Sequence, residues 1–594
     1  MSFFGTPTRR CWLAVLVITL VGAAVRFHGF GALGLTHFDE GVYAFAGLWA
    51  IAPGALAALD PSVVPYAPPG FPILVGLSYS VFGVSDSPAI FVAIVCGTLT
   101  IPVAAWVAGR TFGRAAAVSA AVFAAASLAH IAFSRKALTD APFLLVWVAS
   151  LAFGVRFLER PTPLRAIVMG LMVGLAQNTK YNGWMSGAVT LLAAFAGIAF
   201  CAEQRRTATL ARTLGYGLLG AVVAGVFYGP WVSFVEAHGG YSDLLRHHRS
   251  YLGGPGTWYP FLSQQLSQSI ALSGGAAWRL ATWGVAWVSA IVVAGPLGPG
   301  PSGRRSWSVG VFGLLCGGVV FGFWPTVAWW LGLAWSPWLL ADARASRRAL
   351  GAWWLLFSVM TPFYHPYARL WLPIEAAGWL MSAGAIGAAI DAGTQFSGGS
   401  LRGVVRGFLA QPTFRPRIAG GILCVAVGVV QFAQTRAQPF PLEWFFEPTN
   451  HVRLDAVDTG TWLLADARRH PELLGVGQPR VFASRAFAFY FMLVPDATAR
   501  PEIEPTLDEL LRNGRLHDRG FVDGAMLPAD ITPEMVERRL SAARTDGLRW
   551  YWRRDTERAL DPVTLLDVNP GIVQDADASR RYVATWYGGL EPAQ

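Results

Sequence analysis

Apolar stretches of about 20 residues, bounded at one end by arginine, recur along this chain and constrain its fold more than any other feature. A helix of that length spans the hydrocarbon core of a bilayer. Thirteen such stretches fall near 11–30, 87–109, 115–133, 140–157, 166–179, 183–201, 210–229, 276–296, 307–323, 325–341, 349–363, 371–390 and 418–435. Composition agrees: of 594 residues, 54% are hydrophobic and 14% charged, against roughly 25% charged in a soluble domain. The fold class expected is a polytopic α-helical membrane protein. The net charge of +10 does not indicate nucleic acid. Only 12 of the 36 acidic residues precede Ala437, so the membrane part carries the positive excess, as arginine-flanked spans require.

Arginines at the even-numbered boundaries orient the spans. Arg9 and Arg10 place the amino terminus inside, with the first span retained as an anchor. The loop 31–86 is then outside and contains two short interfacial helices, near 40–52 and 70–82. A polar outer loop follows near 232–265. An odd number of spans puts residues 437–594 on the same outer side. There acids and prolines increase and apolar runs shorten. Residues 481–492 and 548–553 read as strands and 533–543 as a helix, so a small α/β extracytoplasmic domain is expected after a membrane module of residues 1–436. All five cysteines lie in or beside apolar runs, which disfavours structural disulfides and cysteine–zinc sites.

Ionised groups at a membrane boundary are costly and are functional candidates by default. Asp39 and Glu40 stand where the first span leaves the bilayer, within L35-T-H-F-D-E-G-V-Y-A44. Asp140 follows Arg135 and Lys136 in S134-R-K-A-L-T-D-A-P142. Both motifs also have a plain structural reading, since Asp39, Thr139 or Asp140 could cap a helix. Lys180, one of only two lysines, lies in Q177-N-T-K-Y-N-G-W184, where snorkelling is the simpler alternative. Arg246, His247, His248 and Arg249 suit an anionic partner or a headgroup-facing surface. Arg369 follows Tyr364, His365 and Tyr367 at the mouth of a span and could belong to an interfacial aromatic belt. Tyr43 completes the first-loop candidates. A divalent metal held by His37, His247, His248 or His365 with carboxylates is compatible with these residue types, although no fixed spacing marks one. Glu375 lies deeper in a span and needs a partner.

The order of D39-E-G-V-Y-A44, P68-P-G-F-P-I-L-V-G-L-S-Y-S-V-F-G-V-S-D86, L138-T-D-A141, N178-T-K180 and Y364-H-P-Y-A-R-L-W-L-P373 resembles the GT-C superfamily of membrane glycosyltransferases. It is most similar to the protein-O-mannosyltransferase branch that includes the lipid A aminoarabinose transferase. The resemblance spans roughly residues 10–435. It implies inverting transfer of a sugar from a polyprenyl-phosphate donor to a lipid, glycan or protein acceptor outside the cytoplasm, at an inner (cytoplasmic) membrane. The family's two acids fall on Asp39 and Asp140 and its lysine on Lys180. Tyr66 and Ala67 stand where some relatives carry an acid and a lysine, which departs from the aminoarabinose pattern. Chemistry fits these assignments: a carboxylate, Asp39 with Glu40 as support, accepts the acceptor's proton. Lys180, Arg246, Arg249 and Arg369 would stabilise the departing lipid phosphate. Tyr43, His247, His248, Tyr364, His365 and Tyr367 are the expected substrate contacts. The alternative is a lipid flippase or secondary transporter, whose intramembrane charges would line a path; such proteins often show paired repeats, and no internal repeat is found here.

Overall fold

The computed structural model describes residues 9–51, 68–201, 207–237, 240–249, 251–294, 317–318, 325–395, 414–434, 437–450 and 453–454, and short pieces of the chain from residue 480 onward. Helices α1 (Arg9–Phe27), α2 (Phe38–Ile51), α3 (Gly70–Phe82), α4 (Asp86–Phe112), α5 (Arg114–Ala126), α6 (Leu128–Ser134), α7 (Asp140–Glu159), α8 (Pro163–Thr179) and α9 (Met185–Phe200) form the first half. Then come α10 (Thr207–Ala237), α11 (Tyr241–Arg249), α12 (Trp258–Leu272), α13 (Ala276–Ala294), α14 (Pro325–Leu340), α15 (Ala345–Met360), α16 (Leu372–Gln395) and α17 (Phe414–Gln434). Among the described residues six helices are long and apolar enough to cross a membrane, or seven if α5 and α6 form one bent span. The chain is thus a polytopic helical membrane protein. The span expected at 307–323 lies outside the described residues except for 317–318.

The helices pack as neighbours of α4 and α7. α1, α5 and α16 lie against α4, and α7 touches α4, α8 and α9; α10 covers α8, and α15 bridges α9 and α16. Arginine-bearing ends gather at one face. Arg110 pairs with Glu159 at 2.9 Å, joining the ends of α4 and α7. Arg165 donates to the Arg156 carbonyl, and Arg344 reaches the Thr111 carbonyl. The acidic motifs lie at the opposite ends of these helices.

Two expectations for the membrane part are corrected. The span near 115–133 is not one helix: it bends by 59° between α5 and α6. Ser127 takes an extended conformation there and accepts the His130 N–H as the cap of α6. The carbonyls freed at the end of α5 find donors. Trp278 donates to the Ala126 carbonyl, and the buried Arg26 guanidinium donates to the Ala124 and Ala125 carbonyls. A break inside an apolar bundle is tolerated only when its backbone groups are paired in this way. Ser127 also donates to Glu375 at 2.6 Å, which supplies the partner that this acid requires. The polar loop expected at 232–265 is largely helical, built from the end of α10, then α11 and the start of α12.

Beyond α17, strands β1 (Arg480–Phe482), β2 (Arg500–Glu502), β3 (Arg519–Asp523) and β4 (Arg549–Arg553) pair in parallel in the order β2-β1-β3-β4. The expected strand at 548–553 matches β4, and the expected helix at 533–543 lies outside the described residues. The apolar run 481–492 is strand only as far as Phe482; Ala486, Phe489 and Tyr490 are helical. Helical spacing puts these three on one face, and each is at most 3% exposed. A short continuous apolar run does not distinguish strand from helix by periodicity.

Candidate active site

The site starts from how α2 begins. His37 occupies the cap position, and its Nδ1 accepts the Asp39 N–H at 3.0 Å. Glu40, three residues on, reaches back: its Oε2 accepts the N–H groups of Thr36 and His37, each at 2.9 Å. This is capping-box logic with a histidine in place of serine. The other oxygen, Oε1, accepts the Ala137 N–H at 2.8 Å from the loop before Asp140. Lys136 donates to the Thr36 hydroxyl, and its ammonium lies 3.9 Å from Glu40 Oε2. Glu40 therefore ties the first acidic motif to the second. Its carboxyl is raised above the usual range by burial, opposed by Lys136 and by the three backbone N–H groups.

Asp39 faces a different partner. Its Oδ2 accepts from Arg369 Nη1 at 2.6 Å, with side chains 9% and 15% exposed. Burial acts to raise its pKa, but the charge and hydrogen bond of Arg369, with the charge of Lys180, outweigh it and hold the carboxyl below its usual range. The guanidinium also lies over the Tyr367 ring, 5.3 Å from its centroid. His37 is driven down to about 4, chiefly by burial, so its ring is neutral at pH 7.

Asp140 is the first residue of α7, 2% exposed, and its Oδ1 accepts from Lys180 at the end of α8. Its Oδ2 has no hydrogen-bond partner among the described residues. Gly70, opening α3, is required for the approach of α8: a Cβ there would stand 2.7 Å from the Asn178 carbonyl oxygen. That contact lets the Pro68-Pro69-Gly70 turn seat beside Lys180. Tyr43 is 8% exposed. Its hydroxyl bonds Thr139, and it feels the charges of both Asp39 and Asp140. The two acidic motifs thus share one cluster, each carboxylate matched with a cation from a distant helix end.

An aromatic wall borders Arg369. Tyr251 stacks on Tyr364 at 5.8 Å, and His365 meets Tyr367 at 4.6 Å. The strap after α11 is held to the 361–367 turn by Gly253 N–H to the Phe363 carbonyl and His365 N–H to the Tyr251 carbonyl. His248 Nδ1 lies 3.2 Å from the Tyr364 hydroxyl. Arg246 and Arg249 are exposed on α11, and the side chain of His247 lies outside the described residues. The structure so gathers Asp39, Glu40, Tyr43, Asp140, Lys180 and Arg369, with Tyr364, His365, Tyr367 and His248 at the border. Among the described residues no three His, Cys, Asp or Glu side chains assemble as a metal set.

Sequence reasoning missed the capping role of His37, the bridging role of Glu40 and the presence of Tyr251. The first had a signal, since a polar residue three positions before Glu marks a helix start. The other two depend on contacts about 100 residues apart.

Residues 66–234 match the family profile of dolichyl-phosphate-mannose-protein mannosyltransferases. Over that segment the chain is similar to membrane glycosyltransferases of the GT-C superfamily. No curated protein sequence matches it. Among solved structures, the chain is similar to ArnT from Cupriavidus metallidurans bound to undecaprenyl phosphate, at 16% identity over 85% of this chain and 91% of that one, with a TM-score of 0.40. It is also similar to the archaeal oligosaccharyltransferase AglB from Archaeoglobus fulgidus in complex with an inhibitory peptide and a dolichol-phosphate, at 14% identity over 98% and 74% of the respective chains, with a TM-score of 0.47.

Proposed function

We propose that this protein is a GT-C glycosyltransferase that moves a sugar from a polyprenyl-phosphate donor to a hydroxyl-bearing lipid, glycan or protein acceptor, with inversion. The observation that carries the reading is the pair of buried carboxylate–cation contacts, Asp39 with Arg369 and Asp140 with Lys180, in one cluster at the helix ends opposite the arginine-rich face. The matched family is itself described by a dolichyl-phosphate sugar donor. In the proposed step the acceptor oxygen attacks the anomeric carbon, its proton passes to Asp39, and the bond from that carbon to the phosphate oxygen breaks. Negative charge grows on the departing lipid phosphate. Arg369 and Lys180 are positioned to offset it, and Arg246 and Arg249 on α11 would draw the anionic donor toward the aromatic wall. Tyr43, Tyr364, His365, Tyr367, His247 and His248 are assigned to substrate contacts.

A second assignment has its own support. Asp140 Oδ2 is buried without a hydrogen-bond partner among the described residues, whereas Asp39 is engaged by Arg369. Single-turnover sugar transfer decides between them, with donor-lipid binding measured separately. Asp39→Asn is expected to insert, bind donor and lose roughly 10²–10⁴-fold in rate, the usual contribution of a general base. Wild-type transfer by Asp39→Asn together with an inactive Asp140→Asn would exchange the two roles. The flippase or transporter alternative finds no support in the family match. We further place the site and the chain beyond α17 on the extracytoplasmic side of an inner membrane; reporter fusions that put residue 437 onward in the cytoplasm would refute this.

A further inference from the structure

The chain beyond the last membrane helix closes the base of the first outer loop. Asp86 begins α4 and ends that loop; it is 2% exposed, and a buried carboxylate needs partners. The neighbouring Ser87 donates its N–H and hydroxyl to Oδ1, and two further partners come from after α17. Arg453 Nη1 reaches Asp86 Oδ2 at 3.0 Å and Oδ1 at 3.3 Å, and its Nη2 donates to the Gly31 carbonyl at 3.0 Å. The Tyr490 hydroxyl donates to Asp86 Oδ2 at 2.8 Å and accepts the Leu35 N–H at 2.6 Å. Thr449 adds two more ties, N–H to the Ala32 carbonyl at 3.0 Å and Oγ1 from the Gly34 N–H at 3.2 Å.

Shape agrees with the bonding. A Cβ at Gly34 would lie 2.8 Å from Asn450 Cα and 3.0 Å from the Tyr490 hydroxyl, so only glycine admits the approach. Phe489 is fully buried and meets the rings of Phe45 on α2 and Tyr79 on α3, at 5.5 and 6.4 Å. The two ends of the loop, residues 31–35 and Asp86, are thus held together by a third segment hundreds of residues away. Leu35 adjoins Thr36, whose N–H is one of the groups that Glu40 collects. The clasp ends where the cap of the Asp39 helix begins.

We infer that Arg453 and Tyr490 are positioning residues of the transfer reaction: they hold residues 31–35 against Asp86 and thereby fix the start of α2, and with it the Asp39 carboxylate. The inference rests on the reading of Asp39 as a participant in transfer. Neither residue touches the Asp39–Arg369 pair, so their effect travels through the backbone from Leu35 to Asp39. Misplacement of a reacting group by about 1 Å can cost on the order of 10²-fold.

The experiment combines transfer kinetics with hydrogen exchange on the full chain in nanodiscs. Tyr490→Phe keeps the buried ring and removes the hydroxyl. Exchange at the amides of Leu35–Glu40 is expected to rise, and single-turnover transfer at saturating donor to fall about 10- to 100-fold, with donor-lipid affinity unchanged. Arg453→Gln should act in the same direction and Arg453→Lys should restore part of the rate. Adding Tyr490→Phe to Asp39→Asn should cost much less than it does in the wild-type chain, because both act on one carboxylate. Unchanged exchange at Leu35–Glu40 in both Tyr490→Phe and Arg453→Gln overturns the clasp. Raised exchange with full additivity in the Asp39→Asn background overturns the link to Asp39. Raised exchange with an active Asp39→Asn sinks the functional reading instead, and leaves the clasp as the anchor of α2. If Tyr490→Phe does not insert, the two Arg453 variants carry the same comparison.

Discussion

Replacement of Glu40 by Gln separates two roles that the sequence leaves together. In a helix adjacent acids point about 100° apart, which alone would make Glu40 the tolerant member of the pair. The contacts reverse that expectation. Every group that meets the Glu40 carboxylate is a donor: the N–H groups of Thr36, His37 and Ala137 and the Thr36 hydroxyl, which is itself engaged by Lys136. A glutamine can turn its carbonyl toward Thr36 and His37 or toward Ala137, but not both. In either orientation its NH2 confronts a backbone N–H. In the better orientation, with the carbonyl toward Thr36 and His37, the Ala137 bond is lost, worth about 1.5–3 kcal/mol, and its buried N–H is left unsatisfied at about 1–3 kcal/mol. A loss of roughly 2.5–6 kcal/mol is therefore expected, visible as a lower unfolding midpoint in detergent. The damage should concentrate at the Ala137 amide, which exchanges faster, and transfer should fall because the loop carrying Asp140 is no longer tied to α2. A wild-type midpoint with unchanged Ala137 protection would refute the reasoning. It would mean that Glu40 is protonated in the fold, so that the amide is a near-isostere.

Two further outcomes follow from the same contacts. Lys180→Met leaves the Asp140 carboxylate buried without its cation, and a broken buried pair costs more than a removed one. The double variant Lys180→Met/Asp140→Asn should therefore unfold at a higher temperature than Lys180→Met alone, and the reverse order would show that Lys180 only snorkels. His37 is held near 4 in the fold against 6.5 when unfolded, so the unfolded chain binds the extra proton. The stability it contributes is complete above pH 6.5 and is lost as pH falls toward 4, by roughly 3 kcal/mol at 1.36 kcal/mol per unit. Asp39, shifted downward, adds a loss only below its ordinary range. Glu40, shifted upward, acts in the opposite sense just above its own. His37→Asn retains a capping oxygen and should flatten the midpoint between pH 6.5 and 4; an unchanged acid slope would remove His37 from the account.

Much of this protein is determined by local pattern. Apolar runs of bilayer length, arginines at alternate ends and acids placed at a span boundary are written in neighbouring residues, so the helical membrane class, the short helices α2 and α3 and the need of Asp39 and Asp140 for partners are all legible without a structure. The pairings are not. Asp39 meets Arg369 across 330 positions and Asp86 meets Tyr490 across 404, and which helix ends become neighbours depends on how largely apolar, mutually similar surfaces pack. That packing carries no signature in any one segment. The break at Ser127 escaped for the same reason: its freed carbonyls are tolerable only because Arg26 and Trp278 arrive from other helices. The helical turn at Ala486–Tyr490 escaped because an apolar run takes the geometry of the surface it covers, here the rings of Phe45 and Tyr79. Sequence marked which charges must be satisfied at the membrane boundary; tertiary structure alone decided with which partners, because desolvated charge seeks the nearest opposite group in space and not along the chain.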